Sequence, residues 1–377
     1  MHSLLFAAMP FFFFASLYKF NTSFFLPVFI EFNRLAAVGY RSMVMKQDGS
    51  VWATGRNDAG QFGDGSSTDR NSFVNVVSSG AKAVAAGDRH SVMVKQDGSV
   101  WTTGWNLYGQ LGDGSETDSM SFKQVISSGA QAVAAGRAHS MMLNQDGSLW
   151  ATGYSIFGQL GDGSITSKST FVQVVSSGVQ AIAAGWYHSL MLKQDGSVWA
   201  TGKNTYGELG DSSNTDRLSF TNVISSGVKA IAAGCGHSLV VKEDGSLWVT
   251  GYNNHGQLGN GIRINSKIFV KIVSNGAQDV AAGTYHSMML KRDGSVWATG
   301  LNSYGQLGDG TNTDSAVFVE AVSSDVKAVA LGTHHSMVLK QDGSVWTTGF
   351  NIYGQLGDGP LGAKKNSFVQ VAHIGTW

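Results

Sequence analysis

Seven tryptophans stand 49 residues apart: Trp52, Trp101, Trp150, Trp199, Trp248, Trp297 and Trp346. An Asp-Gly pair keeps the same step, from Asp48-Gly49 through Asp97-Gly98 to Asp342-Gly343. So does a GQLGDG-type block that starts at Gly60, Gly109, Gly158, Gly207, Gly256, Gly305 and Gly354. Seven units of 49 make 343 of the 377 residues. A fixed period of this length confines the chain to repeat architectures, because one unit alone cannot bury its apolar face and must lean on its neighbours.

Within a unit the pattern is that of strands. Residues 82–87 (KAVAAG) are short and apolar, and residues 91–96 (SVMVKQ) alternate, with Val and Met suited to a pleated surface. Residues 99–104 (SVWTTG) return after Asp97-Gly98. That pair predicts a two-residue type I′ hairpin turn with positive φ at both positions. A polar, glycine-rich loop then leads to a fourth strand such as residues 73–77 (FVNVV). No helical period interrupts the repeats. Four short strands per unit, seven times over, predict an all-β fold: a seven-bladed β-propeller of four-stranded antiparallel blades. The alanine-rich strand is expected innermost, where strands crowd the axis. The repeated Trp is expected to fill space between sheets packed roughly 10 Å apart.

Composition removes some functional classes. Formal net charge is +0, from 26 basic and 26 acidic residues, with no Lys/Arg-rich run. Capture of DNA or RNA needs clustered positive charge, so direct nucleic-acid binding is not expected. The single cysteine, Cys235, rules out an intrachain disulfide, and cysteine usage does not name the compartment. Residues 1–22 read as an apolar leader and residues 23–377 as the ring. Residues 1–18 look like the core of a secretory signal, yet they lack a positive n-region and an A-x-A site, and Pro10 interrupts them. Secretion follows if they act as a signal and membrane contact if they are retained; otherwise the protein is cytoplasmic or nuclear. Residues 23–28 (SFFLPV) are in phase with the outer strand at residues 72–77. The ring therefore closes either through that strand clasping the last blade, or by face packing between blades that start near Leu35 and end near Val371.

The unit reads GxxHSxxLKxDGSVWxTGxNxxGQLGDG, and all seven copies carry the DG…W…TG…G-Q/E-L/F-G string. It closely resembles the repeat of the regulator of chromosome condensation family, whose members are seven-bladed propellers. There are departures. Val38 and Arg41 stand where other units have Gly and His, Ser155 replaces the usual Asn, and GELGDS and GNG occur in the fourth and fifth units. The resemblance implies several jobs, and fold does not choose among them. The founding type exchanges nucleotide on the small GTPase Ran through a wedge-like hairpin inserted in one blade, for which equal repeat steps leave no room. A plant photoreceptor of this fold uses several GWRH-type tryptophans, of which only Trp186 has a counterpart here. A secreted bacterial relative inhibits β-lactamases with aromatic residues on one rim, and its compact repeats look most like these.

Symmetry separates framework from site. Residues repeated in every unit build the blade, and positions that vary inside the fixed frame are free to recognise something. His90, His139, His188, His237, His286 and His335 recur. A shared metal is not expected, since Zn–N bonds are about 2 Å and equivalent blade positions are about 10 Å apart. Bonds to nearby backbone are expected instead. The GDGSxTD loops lack the acidic series of a calcium loop and read as solvated turns. Cys235 stands beside Gly236-His237, but that histidine belongs to the frame. No strand–GxGxxG–helix pattern exists. No catalytic residue, metal or cofactor is expected. Tyr108, Phe157, Tyr206, Tyr304 and Tyr353 repeat with the frame and are read as packing.

Two variable sets remain, both at strand ends. After each TG come Arg56, Trp105, Tyr154, Lys203, Tyr252, Leu301 and Phe350. Between Gly and His stand Asp88-Arg89, Arg137-Ala138, Trp186-Tyr187, Cys235-Gly236, Thr284-Tyr285 and Thr333-His334. Trp, Tyr and Arg dominate binding hot spots. The expected partner-binding set is Arg56, Trp105, Tyr154, Lys203, Tyr252, Phe350, Asp88, Arg89, Arg137, Trp186, Tyr187, Tyr285 and His334. The expected function is a monomeric, non-enzymatic scaffold that binds another protein. The alternatives are guanine-nucleotide exchange on a Ran-like GTPase and a secreted inhibitor or adhesin.

Overall fold

Among the described residues, twenty-eight strands form seven separate four-stranded sheets, all antiparallel and each drawn from one repeat. The computed structural model describes residues 34–371; the leader expected at 1–22 and the strand expected at 23–28 lie outside them. Blade 1 consists of β1 (Leu35–Val38), β2 (Arg41–Met45), β3 (Val51–Gly55) and β4 (Arg70–Val77). Blade 2 consists of β5 (Ala81–Ala86), β6 (His90–Lys95), β7 (Val100–Gly104) and β8 (Ser119–Ile126). The pattern continues to blade 7, made of β25 (Val326–Leu331), β26 (His335–Lys340), β27 (Val345–Gly349) and β28 (Lys365–Gln370). Among the described residues no helix is long and apolar enough to cross a membrane.

The hairpin between second and third strands differs from the type I′ turn expected. Gly98 has positive φ (78°) and Asp97 does not. Gly98 N–H donates to Lys95 O at 2.9 Å, and Lys95 N–H donates to Ser99 O at 2.9 Å. The loop therefore has three residues, a type I turn closed by one left-handed glycine. Asp97 keeps an ordinary backbone and uses its carboxylate instead, accepting from Ser99 N (2.9 Å) and Ser99 Oγ (2.6 Å). A Cβ on Gly98 would also come within 2.8 Å of Gly129 N in the next blade. The glycine thus answers both a backbone and a packing demand.

Apolar clusters sit in the seams between blades. Val92, Val94 and Val100 of blade 2 pack against Ala130, Val133 and Met142 of blade 3, with Trp150 against them. The repeated Trp therefore fills inter-blade space, as expected. Its indole N–H reaches a serine two residues back, as in Trp101 Nε1 to Ser99 Oγ at 2.9 Å. In six blades the lysine at the end of the second strand lies over this ring, as with Lys95 Nζ 3.9 Å from the Trp101 ring centre; blade 3 has Asn144 there.

The closing seam is built like the others. Leu35, Ala37 and Val44 pack against Ala328, Ala330, Met337 and Leu339. Thr54 Oγ1 donates to Gly354 O at 2.8 Å, matching Thr103 Oγ1 to Gly60 O at 2.9 Å. A bridge joins Ser72 to Asp358 just as one joins Asp64 to Ser121. Blades 1 and 7 each have four strands of their own. The equal repeat step fails once: Thr348 and Lys365 are 17 apart where their counterparts in blade 6 are 16 apart, so the last loop carries one extra residue.

Candidate functional site

The floor of the site is a buried ring of histidines. Each opens a second strand opposite the TG glycine, as in His90 opposite Gly104. His90 Nε2 lies 2.9 Å from Ser140 Oγ of the next blade; His139–Ser189, His188–Ser238, His237–Ser287 and His286–Ser336 repeat this at 2.9 Å, and His335–Ser42 at 3.0 Å. The partner is thus a hydroxyl across the seam, a correction to the nearby backbone expected. A hydroxyl has one proton to give. Ser140 gives its proton to Gln110 O at 2.7 Å, so His90 Nε2–H must be the donor to Ser140. Burial pushes the six imidazoles far below their ordinary range, His90 to about 3 and His139 to about 4. They are neutral stitches and not acid–base groups. A Cβ on Gly87 would overlap the His90 ring, which explains the glycine three residues before each histidine.

Blade 1 replaces the imidazole with Arg41, fully buried and lowered by desolvation to about 10. Its guanidinium reaches the same seam by donating to His90 O, to Asp88 O at 3.0 Å and to Ser91 Oγ at 3.3 Å. The departure at this position therefore preserves the inter-blade link by a longer arm.

Above this floor the variable residues meet in one band. Trp105 stands edge-on to Tyr108 (5.4 Å between ring centres, 82°), and Tyr108 lies 4.5 Å from Tyr154. Tyr154 and Phe157 both contact Tyr187, which touches Trp186 at 6.5 Å. Arg137 lies over Trp186 and Tyr187 at 5.4 and 5.3 Å, and Lys203 Nζ is 5.5 Å from Tyr187 and from Tyr206. Tyr206 continues to Tyr252 (4.8 Å), Tyr252 to Tyr285 (6.3 Å), and Tyr285 to His334 (6.3 Å). His334 and Phe350 both contact Tyr40 at 6.1 Å, and Tyr40 contacts Tyr353 at 5.2 Å. Arg56 lies over Tyr353, and Arg56 and Arg89 share Asp58, each at 2.6 Å. The rings and cations are half-exposed, apart from Arg137 and Tyr206, which are exposed.

Asp88 and Trp186 sit nearer the axis. Asp88 N–H donates to Gly136 O at 3.3 Å, Trp186 N–H to Gly234 O at 3.2 Å, and Thr333 N–H to Gly39 O at 2.9 Å. These main-chain bonds fasten the channel mouth, which narrows to a cavity of about 30 Å³. Cys235 lines it too; burial pushes its thiol up to about 12, and His237 is committed to Ser287.

Sequence reasoning missed part of the band. Tyr108, Phe157, Tyr206, Tyr304 and Tyr353 are in it, stacked on the variable rings and open to solvent on one side, and so are Tyr40 and His255. The signal was the spacing of three that joins Trp105 to Tyr108, Tyr154 to Phe157 and Phe350 to Tyr353 across a tight turn. The outlying GDGSxTD loops hold themselves: Asp64 Oδ1 accepts from Ser66 N (3.0 Å) and Oγ (2.8 Å), and its Oδ2 faces Arg70 at 3.5 Å.

The seven-bladed ring thus carries an aromatic, cation-bearing band drawn from several blades. The chain belongs to the RCC1-like domain family, matching it over residues 21–266 and again over 179–375. Its fold is that of yeast RCC1 (Prp20) in complex with Kap60: 20% identity over 90% of this chain and 85% of that one, TM-score 0.78. Human WBSCR16 is similar at 22% identity over 87% of this chain and 94% of that one, TM-score 0.76. Prp20p of Saccharomyces cerevisiae is similar at 20% identity over 91% and 88%, TM-score 0.76. At these identities the likeness is one of fold. No curated protein matches the chain.

Proposed function

We propose that this protein is a non-enzymatic scaffold that binds another protein through the aromatic band. The observation that carries the reading is the continuity of the band, with Trp105, Tyr154, Tyr187, Tyr252 and Phe350 drawn from separate blades into one half-exposed surface. Half-exposed rings on a rigid ring lose little side-chain freedom when covered, and large rings near the centre of an interface carry most of its energy. The polypeptides named for the similar structures, Kap60, Gsp1p and histones, support a protein partner. The test is capture with the intact chain, partners identified by mass spectrometry, against a variant with alanine at Trp105, Tyr154, Trp186, Tyr187, Tyr252 and Phe350. Loss of specific partners is expected. Their retention by a folded variant would show that the band is not the binding face.

Nucleotide exchange on a Ran-like GTPase is the second reading, favoured by family membership. Acceleration of labelled GDP release by the intact chain would establish it, and no acceleration would remove it.

A further inference from the structure

Two cations from different blades meet at one ring of the band. The Arg137 guanidinium (blade 3) and Lys203 Nζ (blade 4) lie 5.3 and 5.5 Å from the Tyr187 ring centre. Arg137 also lies 5.4 Å from the Trp186 ring, and Lys203 lies 5.5 Å from those of Phe157 and Tyr206. Both are close enough to Cys235 to oppose the rise of its thiol. Among the described residues neither has an ion-pair partner or a hydrogen-bond acceptor. Arg56 and Arg89 differ in this respect, since both end on Asp58 at 2.6 Å.

The sequence keeps negative charge away from this sector. In blades 1, 2, 4 and 6 a loop aspartate supports the chain that carries the band: Asp69, Asp118, Asp216 and Asp314 accept from the main-chain N–H of Asn57, Asn106, Asn204 and Asn302 at 2.7, 2.8, 2.8 and 2.7 Å. Blade 3 has Ser167 at that position, and Ser155 in place of the asparagine. Glu208 stands near Lys203 but is buried, and its Oε2 accepts from Tyr206 N at 2.7 Å. Burial raises it to about 7, and Asp216, which faces it, adds to the rise, so at pH 6 Glu208 is mostly uncharged. Apolar surface adjoins the two cations. Ile156, next to Phe157, is exposed, and so is Leu218 of the outer strand of blade 4 (Arg217–Ile224), which lies against Gly158.

We propose that the sector of the band around Tyr187 takes the carboxylate of an acidic side chain of the partner protein, with an apolar side chain beside it. Arg137 offers that carboxylate a planar pair of donors, and Lys203 offers a point charge. The apolar neighbour covers Phe157, Ile156 and Leu218. A nucleic acid would also bring negative charge and rings that stack. It is disfavoured because a phosphate backbone is held by a row of cations, and the band does not continue the row. On one side Arg56 and Arg89 are neutralised by Asp58, and on the other Arg263 lies 3.6 Å from Asp314. The inference deepens the reading above and rests on it, because it names the chemistry of the partner at one part of the band.

The test uses the intact chain at pH 6 and two short fluorescein-labelled peptides, one alternating Glu and Leu and the other Gln and Leu, followed by fluorescence anisotropy. The Glu peptide should bind at least about tenfold more tightly than the Gln peptide. Arg137→Gln combined with Lys203→Gln should abolish that preference. Lys82→Gln combined with Lys123→Gln removes the same charge from strands outside the band and should preserve it. Raised salt should narrow the preference, because the pairing charges are open to solvent. Equal affinity for the two peptides, or a preference that survives Arg137→Gln with Lys203→Gln, would overturn the proposal. If Tyr187→Ala weakens both peptides in either case, the band stands as a binding face and only the choice of an acidic partner falls. Absence of binding by both peptides, or tighter binding of oligo(dT) than of the Glu peptide, would overturn the proposal as well.

Discussion

The histidine that opens each second strand and the residue just before it are neighbours in sequence with opposite surroundings. His188 is fully buried and bonded across a seam, and Tyr187 is half-exposed on the band. The histidine position is the same in six blades, because an imidazole of one length must reach a serine about 50 residues further on. The position before it runs Tyr40, Arg89, Ala138, Tyr187, Gly236, Tyr285 and His334; the large side chains there are half-exposed and the small Ala138 and Gly236 are buried. Blade 1 shows how far the buried rule bends: Arg41 breaks the identity and keeps the link.

The largest effect is expected where the buried layer is broken most severely. Arg41→Ala should destabilise by about 3–5 kcal/mol, since it empties a guanidinium-sized space and leaves seam acceptors unpaired. Arg41→His should cost about 1–3 kcal/mol, because Val38 puts a Cβ where the other six blades keep the glycine that the imidazole needs, and Val38→Gly should recover much of that loss. Urea unfolding of both decides whether the seam needs a link or this particular arm. Next, His188→Ala should cost about 2–4 kcal/mol, through the cavity and the lost hydrogen bond at Ser238. Tyr187→Ala, one residue away, should cost less than half of that. Equal losses would erase the contrast between the two positions.

The pH dependence sharpens the same comparison. The buried histidines bind protons in the unfolded chain near pH 6.5 and in the folded chain only near pH 3 to 4. Their contribution is therefore complete above about pH 6.5 and lost as pH falls toward 3. Glu208 has the opposite sign. It replaces the glutamine of the other GQLG blocks, and burial raises it to about 7. The folded chain holds its proton, so stability is complete below about pH 4.5 and is lost as pH rises through 7. Glu208→Gln should thus stabilise by about 1–2 kcal/mol at pH 8 and hardly at all at pH 5, read as melting temperature at the two pH values. The smallest effect is expected at Ser212, held at φ 68° where other blades place a glycine of positive φ. Ser212→Gly should gain about 0.5–1 kcal/mol. No gain would mean that the hydroxyl compensates for the strain.

Much of the blade was legible because its signals are local. Alternation in residues 91–96, the small residues of 82–87 and the 49-residue step fixed strand type, strand order and blade number. The Asp-Gly pair marked the hairpin but not its loop length, since Gln96 joins the turn only once Lys95 and Ser99 have paired. The band was half legible. Tyr108, Phe157, Tyr206, Tyr304 and Tyr353 repeat with the frame and read as packing, and they do pack, but a repeated ring can also serve as the base on which a variable one rests. Tyr108 does so beneath Tyr154.

The period and its alternation belong to the sequence alone: seven equal sheets, their strand order, and which positions are free to vary. The tertiary structure decided which of those positions touch. His90 meets a serine 50 residues on, His335 meets Ser42 across 293 residues, and Tyr40 meets Phe350. Such contacts are set by the angle at which one sheet leans on the next and by closure of the ring. A hydrophobic pattern, which records only the direction of each side chain from its own strand, carries neither quantity.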